Sequence, residues 1–235
     1  MPHRFHDIRQ MDTLFDDRPI AYGESQREAI KTAWNACVAA QPALFNGQVL
    51  LMTEGRRVGE MFRGRYSATD YATFLHFMRH GEADGQTRNG FALAGLVSSD
   101  GALLMGVMGQ HTVNAGRIYF PGGTPDMSDV VGDRVDLEGS VRRELEEETG
   151  LTLGEVAFDD GFLLREDDKR CAFVKIVRLA MPADAARTLI MERISRQQQP
   201  ELADIHIVRG AADPLADRMP PFQSAFTNWW FAERG

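Results

Sequence analysis

Three glutamates lie close together in the segment 143–151 (RELEEETGL). On a helix that turns about 100° per residue, Glu144, Glu147 and Glu148 lie within an arc of roughly 100°, whereas Glu146 points away. Three carboxylates on one face repel each other unless protons or a cation intervene. Carboxylate oxygens suit Mg²⁺ or Mn²⁺ and not a metal that prefers thiolates, so the pattern indicates a site for one of these ions.

The position of the acidic face within its helix supports a metal. Gly150 is suited to a left-handed helix stop, so the glutamates occupy the last turns, where the helix dipole is already negative. Repulsion between carboxylates and an unfavourable dipole therefore coincide, and a bound cation would offset both. The alternative is a solvated acidic helix face, which is the usual meaning of a short glutamate run by itself.

The wider pattern favours the metal. The segment matches R-E-U-x-E-E-x-G-U, where U is aliphatic, and a chance match in a chain of 235 residues is of order 10⁻⁵. This is the C-terminal part of the Nudix box, and the chain resembles the Nudix hydrolase superfamily over roughly residues 90–210. The Pro121-Gly122-Gly123 turn between a strand and the helix matches the family layout. The resemblance implies an α/β fold, a Nudix-type α/β/α sandwich with a mixed sheet, preceded by a small N-terminal α+β extension.

The upstream half of the box departs from the family pattern G-x5-E-x7-R-E. Asp129 and Val135 occupy its glycine and glutamate positions, and Gly123 precedes Arg143 by twenty residues, so the loop is about six residues longer than usual. Asp136 is a candidate for the missing carboxylate, with Asp133 a weaker one. Asp136 is also a natural N-cap for a helix that begins at the next residue, and the two roles can coexist.

The resemblance implies a role for each matched residue. The metal ligands for Mg²⁺ (or Mn²⁺) would be Glu144, Glu147, Glu148 and Asp136. Glu144 or Glu147 would also help to deprotonate the attacking water, and Arg143 would orient the cluster by ion pairing. Gly122 and Gly123 would let the backbone approach the site closely. Glu201 is a possible further carboxylate of the kind that the family supplies late in the fold, but a lone exposed glutamate explains it better, and we do not assign it to the site.

The implied activity is hydrolysis of the diphosphate bond in a nucleoside diphosphate linked to another moiety. An Asn46-Gly47 turn within Ala43–Gly47, together with the long segment after Pro121-Gly122-Gly123, is similar to the subgroup that cleaves UDP-sugars. ADP-ribose, a dinucleotide or coenzyme A is the alternative substrate, and a non-catalytic nucleotide-binding domain is the alternative function. The aromatic residues available to hold a base are Tyr66, Tyr119, Phe120 and Trp229.

Two regions must position these residues. In the first, we predict a helix over 25–41 with a Ser25/Glu28 capping box, a strand over 48–52, and a helix over 68–80 capped by Ser67. The polar, glycine-rich stretch 81–90 has no periodicity. It predicts a division into an N-terminal extension (1–87) and a Nudix domain (88–235).

The second region alternates strands with helices, which is typical of a layered α/β domain. The predicted strands are 91–97, 102–108, 118–120, 151–158, 161–164, 171–179 and 205–208. The predicted helices are 137–149, 183–196 and a docked tail helix over 222–231.

The charge composition limits the kinds of molecule that we expect the protein to bind. Against 26 Lys and Arg stand 34 Asp and Glu, a net charge of −8 without a basic stripe, which argues against binding to double-stranded nucleic acid. We therefore expect a small nucleotide-type substrate. Cys37 and Cys171 are predicted to be reduced, in a cytoplasmic protein, and no apolar run reaches the roughly 18 residues of a membrane span. The six histidines form no set with metal-ligand spacing. Many Nudix proteins form dimers, so a homodimer is one alternative for the assembly.

Overall fold

The computed structural model describes residues 4–42, 44–82 and 84–234. Its helices are α1 (Ala21–Ser25), α2 (Arg27–Ala40), α3 (Tyr71–His80), α4 (Leu137–Thr149), α5 (Ala183–Ile194) and α6 (Pro221–Glu233). Its strands are β1 (His6–Ile8), β2 (Gln10–Phe15), β3 (Gln48–Val58), β4 (Met61–Asp70), β5 (Asn89–Val97), β6 (Leu103–Met108), β7 (Ile118–Tyr119), β8 (Gly122–Gly123), β9 (Val130–Val131), β10 (Arg134–Val135), β11 (Val156–Phe158), β12 (Phe162–Glu166), β13 (Arg170–Leu179) and β14 (Leu202–Val208).

The larger sheet is mixed and is covered on both faces. Its order is β1-β12-β13-β5-β6-β14, and within it β13 runs parallel to β5 whereas the other pairs are antiparallel. Neighbouring residues of β5 enter different cores. Leu93 belongs to the cluster that contains Phe226 of α6, and Ala94 to the cluster that contains Val141 of α4 and Ile190 of α5. The predicted α/β/α sandwich with a mixed sheet is therefore confirmed.

A second sheet joins the N-terminal region to the long loop before α4. Its order is β3-β4-β2-β10-β9, with β2 parallel to β4. The Thr13 hydroxyl donates to the carbonyl oxygen of Val135 at 2.6 Å, and β1 pairs with β12 in the larger sheet. Strand pairing thus crosses from residues 1–87 to residues 88–235 in both sheets. The division at residue 87 stays a prediction.

The predicted first helix is wrong at its start. Ser25 is the last residue of α1, and its hydroxyl donates to the carbonyl oxygen of Tyr22 at 3.1 Å. The following helix α2 has Gln26 at its N-cap, without a side-chain bond, so the Ser25/Glu28 capping box does not form. The motif fails because Ser25 already lies inside a short preceding helix.

The second helix begins three residues later than predicted. Residues 67–70 continue β4, so Ser67 is a strand residue, and Asp70 caps α3 by accepting the N–H of Thr73 at 2.9 Å. The predicted turn at Asn46-Gly47 serves the same helix, because the Asn46 side chain accepts the N–H of Ala72 at 2.7 Å. Ala43, at the start of that motif, lies outside the described residues.

The hairpin formed by β3 and β4 is the main element that the sequence did not predict beyond residue 52. Its outer part contains Glu54, Arg56 and Arg57, whose charges remove the hydrophobic periodicity of a strand. In the second region the predicted helix 137–149 coincides with α4. The predicted strand 151–158 is longer than the observed strand β11, because residues 153–155 form a 3₁₀ turn before it.

In the described part of the chain, none of the helices has the length and apolar character needed to cross a bilayer. Cys37 and Cys171 are both free thiols. Cys171 is buried in the core formed with α4 and α5.

The end of α4 provides a test of the fold. Gly150 adopts a left-handed conformation (φ 69°), and a Cβ there would lie 2.9 Å from Cβ of Arg193. We expect Gly150→Ala to lower the free energy of unfolding by about 1–2 kcal/mol, measured by urea denaturation. Gly154→Ala is the matched control, because a Cβ at Gly154 would have no atom within 4 Å and the φ of Gly154 is not positive. Equal denaturation midpoints for the two variants would contradict the left-handed stop.

Candidate active site

A side-chain cap and a glycine set the two ends of α4, and a buried leucine sets which face of the helix is turned toward the core. The Asp136 carboxylate accepts a backbone N–H of the first turn, and Gly150 ends the helix. Leu145 is fully buried in the core beneath the helix. Because that face is anchored, Glu144 and Glu148, which are one turn apart, both lie along one cavity beside β8.

Glu148 is the most deeply placed of the predicted ligands. Its side chain is 8% exposed, and Oε1 accepts the backbone N–H of Gly122 at 2.8 Å. Burial raises its pKa well above the usual range; the Gly122 bond lowers it, and the charges of Glu144, Glu201 and Glu147 raise it further. In the described ranges no cationic side chain forms an ion pair with Glu148.

Gly122 makes this bond possible through its close approach to β5. It has φ 144°, and a Cβ at this position would overlap the carbonyl oxygen of Ala92 and the backbone of Leu93. A residue with a side chain would therefore move the loop away from the sheet and the N–H away from Glu148. The close approach of Gly122 is to β5, and Gly123 lies next to the Glu144 carboxylate.

Glu144 is the second carboxylate on the cavity wall, and its side chain is 17% exposed. Burial raises its pKa to about 7; Arg143 acts in the opposite direction, and Glu147, Glu201 and Asp129 add to the increase.

Arg143 links the helix to the preceding loop. It forms ion pairs with Asp129 Oδ1 at 3.0 Å, Glu144 Oε1 at 3.0 Å and Glu147 Oε2 at 3.2 Å. Burial disfavours its charge, but the Asp129 bond and the neighbouring carboxylates raise its pKa overall. Asp129 itself is 2% exposed and also accepts the N–H of Asp126, in a capping box.

The sequence did not identify Asp129 as a site residue. Its only mark was its place where the family pattern has a glycine, although the Asp126-x-x-Asp129 spacing is a capping-box signal. In the folded chain Asp129 holds the guanidinium of Arg143 against the acidic face.

Two predicted ligands lie apart from Glu144 and Glu148. Glu147 is 60% exposed, pairs with Arg143, and is not part of the cavity wall. Asp136 lies eight residues before Glu144, about 12 Å along the helix axis, and its carboxylate caps the helix. The structure therefore does not bring Asp136 to the glutamates.

The cavity has a volume of about 700 Å³, and its walls come from both halves of the chain. It is lined by Tyr71, Phe74, Leu75, Met78, Arg79, Asn89, Phe91, Leu93, Met108, Val113, Asn114, Tyr119, Phe120, Gly122, Gly123, Thr124, Glu144, Glu148, Asp167, Arg170, Glu201, Pro220, Pro221 and Phe222. Glu201 and Asp167 thus add two further carboxylates to those of Glu144 and Glu148. Of the aromatics considered for a base, Tyr119 and Phe120 line it, whereas Tyr66 and Trp229 do not. The sequence did not predict that residues of α3 form a wall of this cavity.

The carboxylates of Glu144, Glu148 and Glu201 form the acidic wall of the cavity. Their oxygen atoms are suitable ligands for a divalent cation, although they are not arranged as a complete coordination shell. Over residues 4–42, 44–82 and 84–234, no three His, Cys, Asp or Glu side chains are grouped closely enough to hold a metal ion. Glu148 is nevertheless a buried carboxylate to which no cationic side chain of the described segments is paired, and the charges of Glu144 and Glu201 act on it. Oxygen ligands that repel each other are what Mg²⁺ or Mn²⁺ would offset.

No family model matches the sequence, and no curated protein matches it. Similar solved structures include a Nudix hydrolase from M. smegmatis (17% identity, 58% of this chain and 78% of that chain, TM-score 0.36). They also include a MutT protein from Methanosarcina mazei (17%, 60% and 90%, 0.38) and an Ap4A hydrolase from C. elegans (16%, 53% and 83%, 0.36).

Metal binding can be tested without substrate. We expect Glu148→Gln to weaken Mn²⁺ binding about tenfold or more, measured by calorimetry, because a ligand charge is lost. The metal-free variant should be more stable than the wild type by about 1 kcal/mol, since the amide still accepts the Gly122 N–H without burying a charge. Glu146→Gln, on the exposed side of the same helix, is the control and should change neither value. Equal Mn²⁺ affinity in both variants would remove Glu148 from the ligand set.

Proposed function

We propose that the protein is a Mg²⁺-dependent Nudix-type hydrolase that cleaves the diphosphate bond of a nucleoside diphosphate linked to another moiety. The observation that carries this proposal is the pair Glu144 and Glu148 on one wall of a large cavity, with Glu148 held by the N–H of Gly122. The remaining walls combine aromatic and apolar side chains, among them Tyr71, Phe91 and Tyr119, with polar ones, which suits the rest of a nucleotide.

The acidic wall would hold the cation through Glu148 and Glu144, with Glu147 available from the adjacent position on the helix. Mg²⁺, when bound, offsets the charge of the diphosphate oxygens and lowers the pKa of a coordinated water. Asp136 remains the least supported of the proposed ligands, because it lies at the other end of α4.

The side chains of the site divide the remaining work. Glu144 or Glu147 accepts a proton from the attacking water, Glu144 because it faces the cavity and Glu147 because it adjoins it. Arg143 pairs with both and keeps them in place. Water attacks one phosphorus, the bond from that phosphorus to the bridging oxygen breaks, and two phosphate-bearing products leave. Gly122 and Gly123 keep this part of the wall free of side chains.

A UDP-sugar is the substrate that the sequence motifs favour, with ADP-ribose, a dinucleotide and coenzyme A as the alternatives. The Asn46-Gly47 motif that suggested UDP-sugars caps α3, and α3 supplies one wall of the cavity. The motif therefore supports a role of the N-terminal region in shaping the substrate site. Cytoplasmic location and a homodimer stay predictions.

One observation favours the second candidate function, a non-catalytic nucleotide-binding domain. Val135, at the position of the upstream box glutamate, is a buried apolar residue. The same panel of substrates separates the two functions, because a binding domain would bind nucleotides without releasing products.

The activity test uses a panel of UDP-glucose, ADP-ribose, a dinucleoside polyphosphate and coenzyme A, with Mg²⁺ and with EDTA. We expect Mg²⁺-dependent release of a nucleoside monophosphate from at least one member, with UMP from UDP-glucose as the leading product. Glu148→Gln should lower kcat by at least about a hundredfold, since charge stabilisation of the transition state is lost. Glu146→Gln should leave kcat unchanged. An inactive wild type, or full activity of Glu148→Gln, would contradict the proposal.

A further inference from the structure

The cavity has a second charged end, which the proposed diphosphate chemistry does not use. In the described part of the chain, its only cationic lining residues are Arg79 of α3 and Arg170 of β13. They occur in a chain of net charge −8. Asp167 is the one acidic lining residue near them, and it lies 3.7 Å from the Arg170 guanidinium.

The register of the sheet separates this end from the carboxylates. Arg170 is paired with Asn89 at the start of β5, whereas Gly122, which holds Glu148, is paired with Leu93. Four residues of a strand span about 13 Å. The backbone of Arg170 therefore lies about four strand residues along the sheet from the position of Gly122, which holds Glu148.

The two arginines are held at the same end by a docking contact. The Lys169 ammonium donates to the carbonyl oxygens of Met78 at 3.3 Å and Phe77 at 3.5 Å, in the last turn of α3. A cation at this end of a helix is favourable because the dipole is negative there. This contact fixes the segment that leads into Arg170 against the turn that carries Arg79.

Arg79 has bonding capacity left. Its Nη1 donates to the sulfur of Cys37 at 3.2 Å, and within the described residues no carboxylate lies at ion-pair distance from its guanidinium. An exposed arginine is satisfied by water. An arginine that lines a nucleotide-sized cavity, which a second arginine also lines, is placed to donate to an anionic group of the ligand.

We propose that the Arg79 and Arg170 end of the cavity binds a second anionic group of the substrate, remote from the diphosphate that is cleaved. The group is a phosphate on the ribose or a carboxylate on the linked sugar, because a guanidinium pairs with either. This inference rests on the proposed function, and it specifies a substrate with negative charge at two places.

Two matched ligand pairs test the inference on the wild type. Coenzyme A and 3′-dephospho-coenzyme A differ by one ribose phosphate, and UDP-glucuronic acid and UDP-glucose differ by one sugar carboxylate. In calorimetry with EDTA, where no turnover occurs, we expect the more anionic member of at least one pair to bind about tenfold more tightly. The pair that shows the preference identifies the anionic group.

Variants then assign the preference to the arginines. Arg79→Gln and Arg170→Gln should each reduce the tenfold difference within the preferred pair and leave the affinity for the less anionic member unchanged. Arg196→Gln is the control, since Arg196 pairs with Glu192 and does not line the cavity. Urea midpoints of all variants would show that the fold is retained.

The outcomes separate this inference from the proposed function. Equal affinities within both pairs, undetectable binding of all four ligands, or a preference that persists in both arginine variants would overturn the inference, even if hydrolysis is observed. A preference that depends on Arg79 and Arg170 would support it even if no member is hydrolysed with Mg²⁺, and in that case the proposed catalytic function would fail alone.

Discussion

The structure of the site depends on a buried carboxylate that is held by one backbone N–H. Glu148 is almost fully enclosed, and its bond from Gly122 compensates only part of the free energy that burial of a charge costs. The bond requires that β8 lie directly on β5, which only a residue without a side chain allows. Because Glu144 and Glu147 lie on the same face of α4, the unfavourable charge of Glu148 extends to the whole acidic face.

The protein uses Arg143 to relieve part of this repulsion, and it does so at the edge of the face. The guanidinium contacts Glu144, Glu147 and the buried Asp129, but not Glu148. Among the described residues the deepest carboxylate, Glu148, therefore has no positive partner, whereas the outer ones, Glu144 and Glu147, pair with Arg143. On this face of α4, the negative charge that no ion pair of the described residues neutralises is therefore that of Glu148, which lines the cavity. A cation bound there would serve diphosphate chemistry, and the proposed substrate would lie beside it.

The N-terminal region is part of the site and not only an attachment. Its sheet pairs with the loop before α4, through the contact of Thr13 with Val135, and its helix α3 supplies an aromatic wall and Arg79. The cavity thus has an acidic end on the sandwich, and a basic end where α3 meets β13. Such a separation of charge within one cavity orients an elongated anionic ligand, because each end favours a different part of it.

The sequence by itself determined α4, its N-cap at Asp136, its left-handed stop at Gly150, and the common face of its glutamates. These features are local, since they follow from helix periodicity and from the conformations that single residues prefer. Hydrophobic patterning also predicted the helices and most strands of the α/β/α layers, but not the edge strand β1 or the two-residue strand β8. Only the tertiary structure decided which carboxylates reach the cavity. The burial and pairing of these carboxylates depend on β8 and Glu201, which are distant from α4 in sequence, and on Asp129, to which no sequence pattern gave a role. It likewise decided the role of α3 and the charged strands 53–66, whose neighbours across the sheet no local periodicity specifies.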